Sequence, residues 1–387
     1  MTRPLDAITV LDLTHVLAGP FASTTLGDLG ARIIKVERPG AGDDTRAFPP
    51  FVQGESAYFA ALNAGKQSIA LDLAAAADRA IFGRLLDRAD VLLENFRPGV
   101  MERLGYGWDS LQHSHPRLIY GAVSGFGHTG PDAGRPAYDM VVQARGGVMS
   151  ITGEAGGPPV RVGASIGDIA AGMYLVQGVL AALLQRQATG RGAKVDVAML
   201  DAQIAIQEHA LAITTATGVP PGPSGSRHPT ITPFSTYRAA DGFFVIAAGN
   251  DALWAKCCAA LGLDGLAGDP RFASNAARCE HHALIKRLIE TRTLGAPRDH
   301  WIAVLQEAGV PTGRVQNMAE ALADPQVVAR NMVLPVTPRP GGPAFTAAGN
   351  PIKMSTLPEA AARGPAPTLD GDRAAILAWL DAPGGGG

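Results

Sequence analysis

The turn Gly163-Ala-Ser-Ile-Gly167 fits the G-x-S-x-G elbow, in which a tight strand-to-helix connection exposes a nucleophilic serine. Val160 to Val162 could supply the strand, and the apolar stretch opening at Ile169 the helix. A serine hydrolase also needs a later acid followed by a histidine, and an HGGG-type oxyanion loop upstream. The last histidine is His300, in the second domain read below, and no HGGG run is present. Ser165 is therefore a poorly supported nucleophile. Asp168 stands beside it, immediately ahead of the expected helix. Aspartate is among the best N-cap residues, and spacing alone favours that reading. The same place gives a carboxylate the helix dipole and free N–H groups, which would hold it ionised. An ionised carboxylate can attack a carbonyl and form a mixed anhydride.

Other patterns fail on their context. Gly125-Phe-Gly-His-Thr-Gly130 matches G-x-G-x-x-G after an expected strand. Pro131-Asp-Ala-Gly-Arg-Pro136 follows, where a dinucleotide site needs a helix N-terminus for the pyrophosphate. The run reads as a glycine-rich loop. His281 and His282 are neighbours facing different sides of a helix, while His113 and His115 flank a loop serine. Neither HxxxH nor HExxH occurs, and Cys257, Cys258 and Cys279 form no CxxC. No metal site or disulfide framework is expected, and the thiols suit a reduced cytoplasm.

These residues must be held by a fold, and 387 residues are too many for one compact core. An apolar fraction of 47% fills real cores, and 18% charged residues is too few for a disordered chain. Thirty-three Lys+Arg against 35 Asp+Glu leave a net charge of −2, without the footprint of a nucleic-acid or acidic-membrane binder. In the first third, strands at Ile8–Leu13, Arg32–Glu37, Val91–Glu94 and Leu118–Val123 are separated by helical stretches at Pro20–Leu29 and Ala74–Ala89. That alternation predicts parallel βαβ units and a Rossmann-like sheet. A helix from Ile169 to near Gly190 precedes a strand at Lys194–Met199 and a long helix at Leu200–Thr217. Its apolar run, Ile169–Leu184, is 16 residues, short of the ~20 of a membrane span, and reads as a core helix.

Gly218-Val-Pro-Pro-Gly-Pro-Ser-Gly-Ser226 is a linker by composition. A hairpin at Phe234–Arg238 and Phe243–Ala248, closed by Gly242, opens a small α+β domain rich in helix to Ala329. The expected division is a large Rossmann-like domain over 1–217, a linker over 218–230, the small domain over 231–330, and a return to the large domain over 331–387. A second Pro/Gly-rich linker is expected at Leu334–Pro343, a last helix at Asp370–Leu380, and no structure in the glycines 384–387. The N-terminus lacks a basic region followed by an unbroken apolar stretch, so no secretory signal is expected.

A set of short runs resembles the class III CoA-transferases, the CaiB/BaiF family that includes formyl-CoA transferase, carnitine CoA-transferase and α-methylacyl-CoA racemase. They are Val10-Leu-Asp-Leu13, Ala18-Gly-Pro20, Gly30 to Gly40, Gly42-Asp-Asp-Thr-Arg46, Asn63-Ala-Gly-Lys66 and Glu94-Asn-Phe-Arg-Pro-Gly99. Ser124 to Pro131, Arg135-Pro-Ala-Tyr-Asp139, Gly163 to Gly172, Thr189-Gly-Arg-Gly192 and Asp241-Gly242 complete the set. Each is modest alone; their order and spacing make the resemblance specific.

The resemblance implies that Asp168 attacks a donor acyl-CoA thioester, passing through an aspartyl-acyl anhydride and an aspartyl-CoA thioester before CoA reaches an acceptor acid. Tyr138 would support it, and a loop centred on Gly225 would cover it. By matched position, CoA contacts fall to Leu17, Ala18, Arg38, Leu71, Asp72, Leu73, Ala74, Asn95, Phe96, Arg97, Arg103, Ala137 and Tyr138. The resemblance further implies CoA as substrate rather than resident cofactor, and an interlocked homodimer of ring-like chains, with no nucleic-acid or membrane partner. Leu17 replaces a glutamine of formyl-CoA transferase, and Pro221 to His228 replaces its glycine run. Both departures argue against formate or oxalate, and a dicarboxyl-CoA such as succinyl-CoA is the expected donor. Arg46, Arg227 and His228 could grip an acceptor carboxylate. The rivals are a racemase of the same family, whose catalytic histidine falls at Tyr138, a serine hydrolase, and a non-catalytic CoA-binding subunit.

Overall fold

The computed structural model describes residues 3–339 and 341–382, so the expectation for the glycines 384–387 lies outside the described residues. Contacts divide the chain into two units. The first takes the described residues of 1–148, 161–218 and 325–387, and the second those of 149–160 and 219–324. Residues 149–160 thus leave the first unit and the chain returns at Arg161; Gly153, Gly156, Gly157, Pro158 and Pro159 mark this excursion in a stretch where no linker is expected above.

The first unit is built on a parallel sheet. Its strands are β1 (Thr9–Asp12), β2 (Arg32–Glu37), β3 (Gln67–Ala70), β4 (Val91–Glu94), β5 (Ile119–Ser124) and β6 (Lys194–Ala198). Their order across the sheet is β3-β2-β1-β4-β5-β6, with every pair parallel. This is the Rossmann order, and it matches the α/β class expected from the sequence. The central strands are apolar on consecutive residues because both faces are covered. Val10, Ile33 and Leu93 enter one core with Leu26, Leu175 and Val179; Leu11, Ile34 and Leu92 enter the other with Phe82, Tyr120 and Ile376. Between β1 and β4 the strand order reverses, which leaves a crevice beyond their carboxyl ends.

The helices of this unit are α1 (Ala18–Asp28), α2 (Ala57–Asn63), α3 (Ala76–Leu86), α4 (Asp139–Arg145), α5 (Ile166–Thr189), α6 (Met199–Ala205), α7 (Glu208–Thr217) and α8 (Arg373–Asp381), with three short ones at Val100–Leu104, Trp108–Ser114 and Pro325–Ala329. At 24 residues, α5 is longer than its apolar run and passes the length and apolarity test for a membrane span, but Ala170, Ala171, Leu175, Val176, Val179 and Leu183 are buried in the core. Gly172 brings α1 close: a Cβ there would lie 2.7 Å from the Ala18 carbonyl oxygen.

Several element boundaries shift from expectation by a few residues, and three differences change how the chain is read. Helix α5 begins at Ile166, not Ile169, so Asp168 lies inside its first turn rather than ahead of it. The expected helix over 200–217 is two, because the Gln207 side chain donates to the carbonyls of Gly146 and Gln203 at 2.8 and 2.6 Å where the chain turns. The expected linker at 334–343 begins as strand, Val333–Val336 pairing antiparallel with Phe345–Ala348.

The second unit holds an antiparallel sheet of Phe234–Ala239, Gly242–Ala247 and Thr312–Arg314. Helices Asp251–Leu261, His282–Thr293 and Arg298–Glu307 cover it, and Tyr237, Phe244, Trp254, Phe272 and Trp301 form a core of its own.

Candidate active site

The chain leaves β1 through Thr14–Leu17 and enters α1 without a side-chain cap, since Leu17 at the N-cap has nothing to offer the first N–H groups. Asp168 comes to that helix start from α5, near enough for the Ala18 N–H to favour the charged form of its carboxyl. Glycines permit the approach. Gly172 lies one turn along α5 from Asp168, and a Cβ on Gly19 would fall 2.3 Å from the Thr14 Cβ.

The capping of α5 itself falls to Asp139, the buried first residue of α4. Its Oδ1 accepts the Gly167 N–H at 2.8 Å and its Oδ2 accepts Gln143 Nε2 at 2.6 Å. Ser165 stands at the N-cap of α5 with no capping bond, so the elbow motif is a helix entry. Asp139 lies in one of the resembling runs but carries no role read from sequence; an aspartate opening a helix is the signal that could have found it.

Two carboxyls therefore meet here with different tasks. Burial pushes the Asp168 carboxyl up to about 7, the Asp139 charge adds to this, and the Ala18 N–H opposes it. The expectation that helix N–H groups keep it strongly ionised is corrected: desolvation and a like charge outweigh one hydrogen bond. The Tyr58 phenol is raised by burial first and then by Asp168, Asp43 and Asp139, which places α2 at the same site.

The residues matched to CoA contacts lie at the carboxyl ends of the strands. Leu17 and Ala18 follow β1, Arg38 follows β2, Leu71 to Ala74 follow β3, and Asn95 to Arg97 follow β4. Arg103 lies on the short helix Val100–Leu104 just beyond β4. Ala137 and Tyr138 end the loop after β5, which folds back so closely that a Cβ on Gly125 would lie 2.3 Å from that of Ala137. Tyr138 is 77% exposed and immediately precedes Asp139. The crevice between β1 and β4 is clasped: the His15 N–H donates to Asn95 Oδ1 at 2.9 Å, and Asn95 Nδ2 donates to the His15 carbonyl at 2.7 Å. The Phe96 ring lies 5.6 Å from that of His15. Beside it opens a cavity of about 270 Å³ lined by His15, Glu37, Arg38, Asp43, Asp44 and Phe96, among others. Arg38 reaches its rim, held by the Gly42 carbonyl at 3.0 Å and by Asp44.

Other candidates are otherwise engaged. Arg46 is not a free clamp, because it pairs with Glu37 through bonds of 2.8 and 2.6 Å and lies over the Phe59 ring. Arg227 donates to the Cys279 carbonyl at 3.0 Å, and the His228 ring stacks on Phe234. Gly225 belongs to the second unit, where its N–H donates to the Gly153 carbonyl at 2.8 Å; its φ of 64° suits glycine.

CoA-transferase family III matches the chain over residues 5–373. The acetyl-CoA:oxalate CoA-transferase of Acetobacter aceti is 46% identical over 381 residues, covering 98% of this chain and 96% of that protein. The succinate–glutarate CoA-transferase of Agrobacterium fabrum (strain C58) is 39% identical over 385 residues, covering 98% and 96%. The crystal structure of a CaiB/BaiF family protein from Brucella suis superposes with a TM-score of 0.87 at 39% identity, covering 98% of this chain and all of that one.

Proposed function

The chain belongs to CoA-transferase family III and is a CoA-transferase, and from that premise we propose that Asp168 is the covalent carrier in the transfer. The observation that carries this reading is the division of labour between the two aspartates. Asp139 caps α5, which leaves Asp168 at the start of α1 with no structural task beyond one N–H contact. A carboxyl raised to about 7 is a stronger nucleophile once ionised than an ordinary carboxylate.

Its anionic oxygen attacks the donor thioester carbonyl, the C–S bond breaks, CoA thiolate leaves, and an aspartyl-acyl anhydride remains. The thiolate attacks the aspartyl carbonyl of that anhydride and releases the donor acid, giving an aspartyl-CoA thioester. The acceptor carboxylate attacks this thioester, expels the thiolate and forms a second anhydride. The thiolate then takes the acceptor acyl group, and Asp168 is regenerated. Acyl activation survives throughout because each intermediate is an anhydride or thioester kept from water. Tyr138 stands where the racemases carry histidine, and a phenol lacks the ready proton exchange of an imidazole that α-proton abstraction near neutral pH calls for.

The acceptor proposed is a small dicarboxylic acid, supported by the oxalate and glutarate in the names of the two relatives. Loss of the polar side chain at Leu17 favours glutarate-sized acids over oxalate, with succinyl-CoA as donor. A panel of acetyl-CoA and succinyl-CoA against oxalate, glutarate and monocarboxylic acids, read by mass spectrometry, tests this. Absence of transfer to any dicarboxylate overturns the acceptor class, and α-proton exchange in deuterated water without an acceptor would favour the racemase.

The proposed path of CoA runs along the carboxyl ends of β1 to β5, with Arg38 toward the phosphates, a reading supported by the reversal of strand order there. Arg38→Ala is expected to raise KM for the CoA ester about ten- to a hundred-fold with kcat at saturation little changed, the loss of one charge-assisted contact. An unchanged KM moves the nucleotide elsewhere. The working form proposed is an interlocked homodimer: Met173, Tyr174 and Leu184 on α5 are exposed, and α7 has no buried residue, so apolar surface of the first unit lacks cover. A concentration-dependent monomer under native conditions would contradict interlocking.

A further inference from the structure

Two of the short runs noted in the sequence, Val10-Leu-Asp-Leu13 and Asn63-Ala-Gly-Lys66, meet inside the first unit at a buried ion pair. Asp12 is fully buried and Lys66 is 5% exposed. Gly65, at φ 83°, turns the chain after α2 so that Lys66 points inward. Lys66 Nζ lies 3.1 Å from Asp12 Oδ2, 2.7 Å from Ser23 Oγ, 2.9 Å from Asn63 Oδ1 and 3.2 Å from the Pro20 carbonyl oxygen. Asp12 Oδ2 also accepts the Ser23 hydroxyl at 2.6 Å, while Oδ1 accepts the Thr14 N–H at 3.0 Å and the Thr14 hydroxyl. Lys35 reinforces the same turn from β2, donating to the Thr14 carbonyl at 2.7 Å and pairing with Asp43 at 2.8 Å.

One ammonium thus ties the end of β1, the first turns of α1 and the end of α2. A buried pair of this kind adds little stability over apolar residues of equal size, because desolvation offsets the attraction. What it fixes is geometry. Pro20 and Ser23 sit on the helix whose first residue, Ala18, packs on α5 so closely that a Cβ on Gly172 would lie 2.7 Å from its carbonyl oxygen, with its N–H near Asp168.

We propose that Asp12 and Lys66 are positioning residues for the transfer, fixing the start of α1 against α5 at Gly172 so that the Ala18 N–H stays beside the Asp168 carboxyl. The proposal rests on Asp168 being the covalent carrier. Neither residue touches the reacting atoms. The groups that act electrostatically on the Asp168 carboxyl, or are acted on by it, are Asp139 from α4, Tyr58 from α2 and the Ala18 N–H from α1. Asp139 is held by Gly167 and Gln143, outside the reach of the pair; Ala18 is governed through Pro20 and Ser23, and Tyr58 through Asn63 at the end of its helix.

The test is the double variant Asp12→Leu/Lys66→Met, which removes both charges and leaves neither stranded. Its melting temperature, CoA-ester binding and single-turnover acylation rate, trapped as a hydroxamate, are measured from pH 5 to 9. Of the groups facing Asp168, the Ala18 N–H favours the ionised form, so losing it moves the acid limb of acylation to higher pH. The expected result is a folded protein that binds the ester, with the limb shifted upward and acylation at pH 7 slowed about tenfold or more, as misplacement of a reacting group does. Ser23→Ala keeps both charges, removes one tie to α1, and should shift the limb the same way by less. It carries the test alone if the double variant does not fold. An unmoved limb with an unchanged rate, in the folded double variant or in Ser23→Ala, overturns the proposal. Failure of the carrier reading is seen separately, as a wild-type hydroxamate that maps to a residue other than Asp168.

Discussion

Replacing Asp168 with asparagine is expected to abolish transfer while making the protein more stable above pH 7. The amide keeps the volume and an acceptor for the Ala18 N–H, so fold and CoA-ester binding should persist. It has no anionic oxygen, so acylation should fall by on the order of 10⁴-fold or more, the scale on which loss of a covalent carrier is felt. The stability effect follows from the sign of the pKa shift. The native carboxyl titrates near 7 and the unfolded one near 3.8, so between these values the native state binds the extra proton. The group's favourable contribution is complete below about 4 and is lost as pH rises toward and through 7. Asparagine carries no such charge, so the variant should gain stability of up to a few kcal/mol at pH 8, a gain that shrinks toward pH 4. A helix cap would behave in the opposite way, losing ~1 kcal/mol on substitution. Thermal melts across this range, with hydroxylamine trapping on the wild type, separate the two. Transfer by the variant at wild-type rate would remove Asp168 from the chemistry.

The parts of this arrangement that the sequence announces are those set by local pattern. Arg32–Glu37 and Val91–Glu94 are legible to the residue, because continuous apolar runs between turn signals mark strands buried on both faces. Their order across the sheet is not a local property, since alternation implies parallel pairing without saying which strand lies beside which. The start of α5 is misread from sequence for a related reason. Gly167 is a poor helix former, and its N–H is held by Asp139, 28 residues earlier, a contact that no window around Ile169 contains. That same contact gives the capping of α5 to Asp139 and leaves Asp168 facing the start of α1. Arg46 is legible as a charge, but not its pairing with Glu37 at the end of β2, a contact between elements that no local window contains. The carboxyl-end position of the CoA candidates follows from the fold itself, since ligands of open α/β sheets lie where the strand order reverses.

Gly172→Ala should show how closely chemistry depends on the approach of α1 to α5. On helix propensity alone the change adds about 1 kcal/mol of stability. The new Cβ, however, would lie 2.7 Å from the Ala18 carbonyl oxygen and 2.9 Å from Phe21 Cδ1. The oxygen is backbone and cannot swing aside, so the start of α1 must move, at an overpacking cost of about 1–3 kcal/mol. The N–H of the same residue, Ala18, serves Asp168, so acylation should fall as well, by about a hundred-fold for a displacement approaching ~1 Å. Gly178→Ala, on the same helix, is the matched control. Its Cβ would meet Val195 Cγ1 at 2.4 Å, a side-chain methyl on β6 rather than the backbone of α1. It should cost comparable stability while the folded protein keeps its acylation rate. Equal loss of acylation in both variants would mean that α5 responds as a whole, and the seat of Ala18 on Asp168 would not be what limits the reaction. Loss confined to Gly172→Ala ties the chemistry to the place where α5 meets the Ala18 backbone.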